Sequence, residues 1–356
     1  MLRKRLLLAL ILLPALAIGA EGLVWLLVVR QVQLAFQEWV AARHAEGWRL
    51  DHGAERLGGW PFAATVGIAG FSISGGMDVL PGGLSWRSEH LTLQLDLLFP
   101  GHLFVHPSGR QRLRVFGSPV IALAANQLEA KLPLAVLPFM GEPRVGDEVV
   151  ITASDVRAGL ADVDPHLVAL STLAIHAALG PSAAGGNRTE MSVRLHATRV
   201  SVDRRNVHQL GGEIGLFSFS GALIGHVPPG ASWTARLHAW RSSGGMLAIR
   251  GLSLIWGPLA IGASGQLMLD REMQPAGRGT ARVVGYAATL DALAAAGKIG
   301  TGAATAVKAI LMLLARPPRA GRPPEVDVPL RLKNRTLSLG RIPFLKMPLV
   351  TWPSAH

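Results

Sequence analysis

No cysteine occurs in the 356 residues, which excludes disulfides and thiolate-held metal sites. Charged residues are scarce too, at 16% of the chain, where soluble domains carry about a quarter. Hydrophobic residues make up 49% and the mean hydropathy is +0.34. Such a balance belongs to a membrane-attached protein or to one with a large apolar interior. Acidic residues are the rarer sign, with 23 Asp and Glu against 35 Lys and Arg, for a net charge of +12. The arginines are dispersed, whereas a nucleic-acid footprint clusters, so no nucleic-acid partner is expected. A dispersed basic surface also suits anionic lipid headgroups.

Catalytic signatures are missing as well. There is no G-x-S-x-G elbow for a nucleophilic serine and no Rossmann fingerprint. Gly297-Lys298 is followed by Ile299 rather than Ser or Thr, so it is no phosphate loop. His102 and His106 have the spacing of a zinc helix, but no glutamate lies between them and Pro100-Gly101 and Pro107 flank them. They are expected to be surface or turn residues. Asp162 and Asp164 bracket a turn ahead of Pro165, and Glu325 and Asp327 share one side of a strand near Arg331 as a surface ion pair. The reading is therefore non-enzymatic, with no catalytic residue, no cofactor and no metal.

What is present is an apolar leader and a long series of alternating segments. Arg3, Lys4 and Arg5 precede Leu6–Val29, in which Glu21 is the one charged residue. As a helix this stretch would extend about 36 Å, enough for a hydrocarbon core of about 30 Å. The basic flank places the N-terminus in the cytoplasm and the bulk outside. Small residues at Ala17-Ile18-Gly19 would also suit signal cleavage, but the apolar run continues past them, favouring an uncleaved anchor over 1–30. Residues 31–50 read as a juxtamembrane helix with Val32, Phe36, Trp39 and Val40 on one face.

From Gly58-Gly59-Trp60-Pro61-Phe62 onward the period is two. Leu91, Leu93, Leu95 and Leu97 alternate with polar residues, as do Leu128, Ala130, Leu132 and Leu134, where Pro133 suggests an edge or bulge. Met191, Val193, Leu195 and Ala197 follow, with a slip of phase before Val200, and Trp233, Ala235, Leu237 and Ala239 form a further such face. Asp155–Ala178 reads as helical in places. The clearest pair is Leu252–Trp256 and Leu259–Leu269, joined by Gly257-Pro258 as a hairpin with one apolar face. Helices are expected over 290–296 and 301–315. Loops fall at 141–143, 181–187, 227–230 and 317–324, with 181–190 as a place where two halves of a domain over 51–356 could meet. Of the tryptophans, Trp60, Trp86, Trp233, Trp240, Trp256 and Trp352 would serve as core or interface residues more readily than as a groove lining.

The last third resembles an uncharacterised bacterial, chiefly alphaproteobacterial, family known as domain of unknown function 2125. The residues that carry the resemblance are Gly244-Gly245, Trp256-Gly257-Pro258-Leu259, Gly265-Gln266-Leu267 before Leu269-Asp270, Pro275-x-Gly277, Asp291-Ala292-Leu293 with Gly297, Pro329-Leu330-Arg331-Leu332 and Leu337-x-Leu339-Gly340-Arg341-Ile342-Pro343. Gly59-Trp60-Pro61-Phe62 fits the family's Gly-aromatic-Pro step. Asn334-Arg335 stands where members often have Asp-Gly. More distantly, the layout is similar to AsmA-type envelope proteins, which implies a greasy channel for phospholipid by analogy of architecture.

The expectation is thus a mainly β (α+β) protein: a curved antiparallel sheet with an apolar concave face, a few packed helices and one N-terminal transmembrane helix. It would sit in the inner membrane, single-pass, with its bulk periplasmic. The candidate groove comprises Trp256, Leu259, Ile261, Ala263, Leu267, Leu269, Ile310 and Leu314. Its occupant would be a lipid or other apolar ligand, and the alternative is a scaffold that binds another envelope protein.

Overall fold

The computed structural model describes residues 2–76, 82–115, 117–134, 147–181, 189–202, 210–225, 233–297, 300–314, 324–340, 342–350 and 352. The loops expected at 141–143 and 227–230, and nearly all of those at 181–187 and 317–324, lie outside them.

One helix, α1 (Leu2–Ala45), opens the chain. Leucine, alanine and valine dominate it, so Pro14, Gly19 and Gly22 are carried without a break. It stops where Gly47 adopts a left-handed φ of 83°, the conformation glycine tolerates best at a helix end. The helical reading of the stretch after residue 30 holds. The helix is continuous to Ala45, and strand structure begins at Arg49 rather than after residue 50. Its two halves differ in surroundings. Leu16–Ala45 is long and apolar enough to cross a membrane, and before Trp25 the described side chains of Leu12, Leu16, Ile18, Leu23 and Val24 are all exposed. From Trp25 onward one face is taken by the sheet, with Val29 fully buried and Phe36 and Val40 nearly so.

Among the described residues, the rest of the chain is built on one antiparallel sheet of seventeen strands. β1 (Arg49–Asp51) and β2 (Glu55–Gly58) lie end to end along β3 (Ala63–Gly75). The order then continues through β4 (Leu84–Asp96) and β5 (His102–Val115). β6 (Ile121–Ala124) and β7 (Gln127–Pro133) again share one row, between β5 and β8 (Glu148–Leu160). β9 (Asp164–Pro181), β10 (Thr189–Val202), β11 (Glu213–Ile224), β12 (Met246–Trp256), β13 (Leu259–Leu269) and β14 (Pro275–Val284) each pair with the next. β15 (Glu325–Lys333), β16 (Thr336–Leu339) and β17 (Ile342–Lys346) complete the meander. β9 and β10 are paired from Pro181↔Thr189 onward, so the sheet is continuous where two halves were expected to meet.

Two helical insertions interrupt the meander: α2 (Trp233–Ser242) before β12, and α3 (Tyr286–Ala295) with α4 (Thr301–Leu314) before β15. α3 and α4 pack on each other, α3 also on β13 and α4 on β15. α2 corrects the strand expected at Trp233–Ala239. Ala235, Arg236, Leu237 and Ala239 are good helix formers, and Trp240, outside the alternating set, anchors the helix by donating its Nε1–H to the Ile224 carbonyl at 3.0 Å. The helix expected within Asp155–Ala178 is strand instead, because Leu173, Ile175 and Ala177 find cross-strand partners on both sides, and pairing outweighs local propensity. Pro133 marks no edge. It ends an interior strand, where a missing N–H costs no ladder bond. At the slip before Val200, Arg199 adopts a φ of 47°, but the register with β9 and β11 is the same on either side of it, so the expected bulge is not there.

Asn334 and Arg335, both at positive φ (50° and 62°), make the two-residue turn of β15 and β16, the type I′ geometry that matches strand twist. Gly285 begins α3 at φ 73°, and a Cβ there would run into the carbonyl of Pro258 in the β12–β13 turn. Gly285→Ala is therefore expected to destabilise by about 2–3 kcal/mol, measured as a lowered denaturation midpoint.

Candidate apolar-ligand site

Directly opposed residues of antiparallel strands share a face, so the registers show which side chains form each surface. One row runs Val66, Leu93, Val105, Ala130, Ile151, Ile175, Leu195, Phe219, Leu252, Ala263, Ala281, Val328, each opposite the next. Every member is apolar, over twelve consecutive sheet positions. The row beside it, on the other face, runs Glu129, Thr152, Ala174, His196, Ser218, Ser253, Gly262, Arg282, Asp327. The sheet is thus apolar on one side and predominantly polar on the other along nearly its whole width.

The apolar side is the more enclosed one. On β13, Ser264, Gln266 and Met268 are exposed while Ala263, Gly265 and Leu267 are half-buried. On β14, Arg278, Thr280 and Arg282 are exposed, Gly277 and Gly279 half-buried, and Ala281 buried. Glycines draw these two backbones together. A Cβ on Gly265 would lie 2.6 Å from the Arg278 carbonyl oxygen and 2.8 Å from the Gly279 Cα. Gly265 here therefore serves close backbone approach rather than room for a guest.

At its first end the apolar face is roofed by α1. Between them lies a cavity of about 240 Å³, lined by Val32, Ala35, Phe36 and Trp39 of the helix and by Phe71, Trp86, Leu91, Leu93, Leu95, Leu103, Val105, Leu132 and Leu134 of the sheet. The indole of Trp86 donates to Gln111 Oε1 at 3.1 Å, and the Gln111 amide in turn donates to the Ser108 carbonyl, so these polar groups are satisfied. Apolar cavities of about 150 Å³ stay dry and accept benzene, so this one has room for a hydrocarbon segment. Leu93 and Val105 belong both to its wall and to the long row, which makes the cavity the covered end of the apolar face.

Trp256, Leu259, Ile261, Ala263, Leu267 and Leu269 lie on the apolar face of β12 and β13, all half-buried. The Trp256 indole donates to the Gly211 carbonyl at 2.9 Å. The side chains of Ile310 and Leu314 lie outside the described residues; their helix, α4, meets β15. Sequence reading placed the groove at this later end and missed the helix-roofed cavity. The signal was available, because the Val32, Phe36, Trp39 face and the Leu91–Leu95 alternation were both visible and only their juxtaposition was not. Among the tryptophans, Trp86 lines the cavity, Trp240 is buried, Trp352 donates to the Met273 carbonyl at 2.6 Å and Trp60 is exposed. The Trp233 side chain lies outside the described residues.

The polar face carries several ionic contacts. Arg282 bridges Asp327 at 2.8 Å and Glu325 at 3.7 Å; it, rather than Arg331, is the partner of that carboxylate pair, because the register sets it opposite Asp327. Glu148 Oε1 accepts from Arg194 at 2.6 Å and lies 3.0 Å from His176 Nδ1. Slight burial pushes the Glu148 carboxyl up, but the hydrogen bonds and charges of His176 and Arg194 outweigh it, and the group sits below its ordinary range. A depressed carboxylate contributes stability above its unfolded pKa and loses it as pH falls through the folded value. Glu148→Gln should therefore lower the denaturation midpoint slightly at neutral pH, with wild type and variant converging in acid. His106 Nδ1 lies 3.6 Å from Glu129, His102 and His106 are on β5 rather than a helix, and no group of three metal-ligating side chains occurs among the described residues.

Residues 25–348 match the family model described as uncharacterized protein conserved in bacteria (DUF2125). No curated protein and no solved structure matches the chain. The matched region opens at Trp25, the residue whose indole ties α1 to the sheet by donating to the Ala63 carbonyl at 2.9 Å.

Proposed function

The chain belongs to the DUF2125 family of uncharacterized bacterial proteins, and from that premise we propose that it is a membrane-anchored envelope protein that binds a lipid or other apolar ligand, or passes it along its sheet, without bond chemistry. The carrying observation is the unbroken apolar row from Val66 to Val328, roofed at its start by α1 and, among the described residues, half-buried rather than buried at Ile175, Leu195 and Phe219. A sheet that had only to fold would need one apolar face under a lid, as at β3–β5. Past β7 the row continues as half-buried side chains such as Ile175, Leu195 and Phe219. Leaving that much apolar surface partly wet is unfavourable by about 25 cal/mol per Å², and a hydrocarbon guest would remove the penalty. The basic leader at Arg3, Lys4 and Arg5 favours a cytoplasmic N-terminus and a periplasmic sheet. The AsmA-type layout expected from the sequence is part of this same proposal.

The test combines mass spectrometry of co-purified lipids from detergent-free preparations with photo-crosslinking by a diazirine fatty acid. Adducts on peptides that carry Leu93, Val105, Ile175 or Leu195 are expected. Adducts confined to the first half of α1 would mean lipid that merely surrounds the anchor, and would overturn the proposal.

A further inference from the structure

We propose that the turns at 59–62 and 97–101 form an apolar collar seated in the interfacial layer of the same bilayer from which α1 emerges; the inference rests on the anchored reading above. Trp60, Phe62, Leu98 and Phe99 are 51%, 71%, 72% and 79% exposed. Large apolar side chains gathered this way and left wet mark an interaction surface. The two turns are joined, since the Leu97 N–H donates to the Phe62 carbonyl at 3.0 Å. Each is also closed on itself, through Ala63 N–H to the Gly59 carbonyl at 3.0 Å and Gly101 N–H to the Phe99 carbonyl at 2.8 Å.

Their position identifies the occupant. Trp25 fixes α1 to the Ala63 carbonyl, at the residue that follows Phe62. One turn earlier, a Cβ on Gly22 would lie 4.0 Å from Trp60 Nε1. From Leu6, the first residue after the basic flank, to Gly22 the helix extends about 25 Å at 1.5 Å per residue, about 17 residues and the short end of what spans a hydrocarbon core. Its described side chains there, Leu12, Leu16 and Ile18, are exposed. A bilayer that takes up this length therefore ends level with Trp60. Tryptophan and phenylalanine are the side chains suited to that depth. The collar thus sets how the sheet meets the membrane, with the apolar face starting at the bilayer surface.

The absence of cysteine makes the test clean. Single cysteines replace Phe62, Phe99, Leu16 and, as a reference, Val163, which is 80% exposed in the β8–β9 turn at the opposite end of the strands. Each full-length variant is labelled with a fluorophore and placed one chain per nanodisc. Quenching by brominated phosphatidylcholine and by iodide is then read. Labels at 62 and 99 should be quenched by brominated lipid at least severalfold more than the label at 163, and less deeply than the label at 16. If 62 and 99 behave like 163 while 16 is lipid-embedded, the collar is wrong and the anchor stands. If 16 is also open to iodide, the anchor fails with it. Protection at 62 and 99 that rises with the number of chains per disc would assign the surface to a second copy and overturn the collar.

Discussion

Truncating Phe36 to alanine should cost about 3–5 kcal/mol of stability. Its ring lies nearly buried between α1 and the sheet, with ring centroids 5.3 Å from His52, 6.2 Å from Trp39 and 6.4 Å from Phe71. The site cannot collapse to absorb the loss. β3 and β4 are held by a long ladder, and α1 is pinned by the Trp25 indole at one end and by His44, whose Nε2 accepts the Leu50 N–H, at the other. The new void would merge with a cavity that already exists, so the removed contacts would not be replaced. Leu27, 62% exposed on the same helix, supplies the comparison, and Leu27→Ala should stay within about 0.5 kcal/mol. Denaturation of both variants in the same detergent, followed by tryptophan fluorescence, measures the difference. A Phe36→Ala loss no larger than that of Leu27→Ala would mean that α1 does not pack on the sheet.

How much of this was legible in the sequence follows from the range of each signal. The period-two runs at Leu91–Leu97, Met191–Ala197 and Leu259–Leu269 are local and announced β4, β10 and β13. The β12–β13 hairpin was equally clear, because Gly257-Pro258 interrupts two alternating runs. The alternation at Trp233–Ala239 misled because alanine and leucine at every second position fit a helix as well, and the deciding contact, Trp240 to Ile224, is sixteen residues apart. Asp155–Ala178 misled for the converse reason: its strands are specified by partners on β8 and β10. The cavity is less local still. Phe36 and Leu93 each read as one face of one element, and nothing in a single chain's pattern says that those two faces meet. The long row needed every register at once, since a slip of one residue at any pairing would turn all later side chains to the other face.

That dependence on register makes Phe219→Glu the sharpest probe of the proposed function. Phe219 sits at the centre of the row, between Leu195 and Leu252, and is half-buried, so the carboxylate can reach water and the ladder should survive. To any hydrocarbon lying along the face, however, the same group presents an unpaired charge. Burying it beneath a lipid chain costs several kcal/mol, and each 1.4 kcal/mol is tenfold in occupancy. Fatty-acid adducts past β9 should fall at least tenfold. Ser218, the preceding residue, faces the polar side opposite His196 and Ser253, so Ser218→Glu adds the same charge at the same height and should leave labelling unchanged. If both substitutions act alike, the effect is one of charge or stability and the apolar face has no special part in binding. If neither acts while adducts near Leu93 persist, the guest is confined to the cavity under α1 and does not travel the sheet.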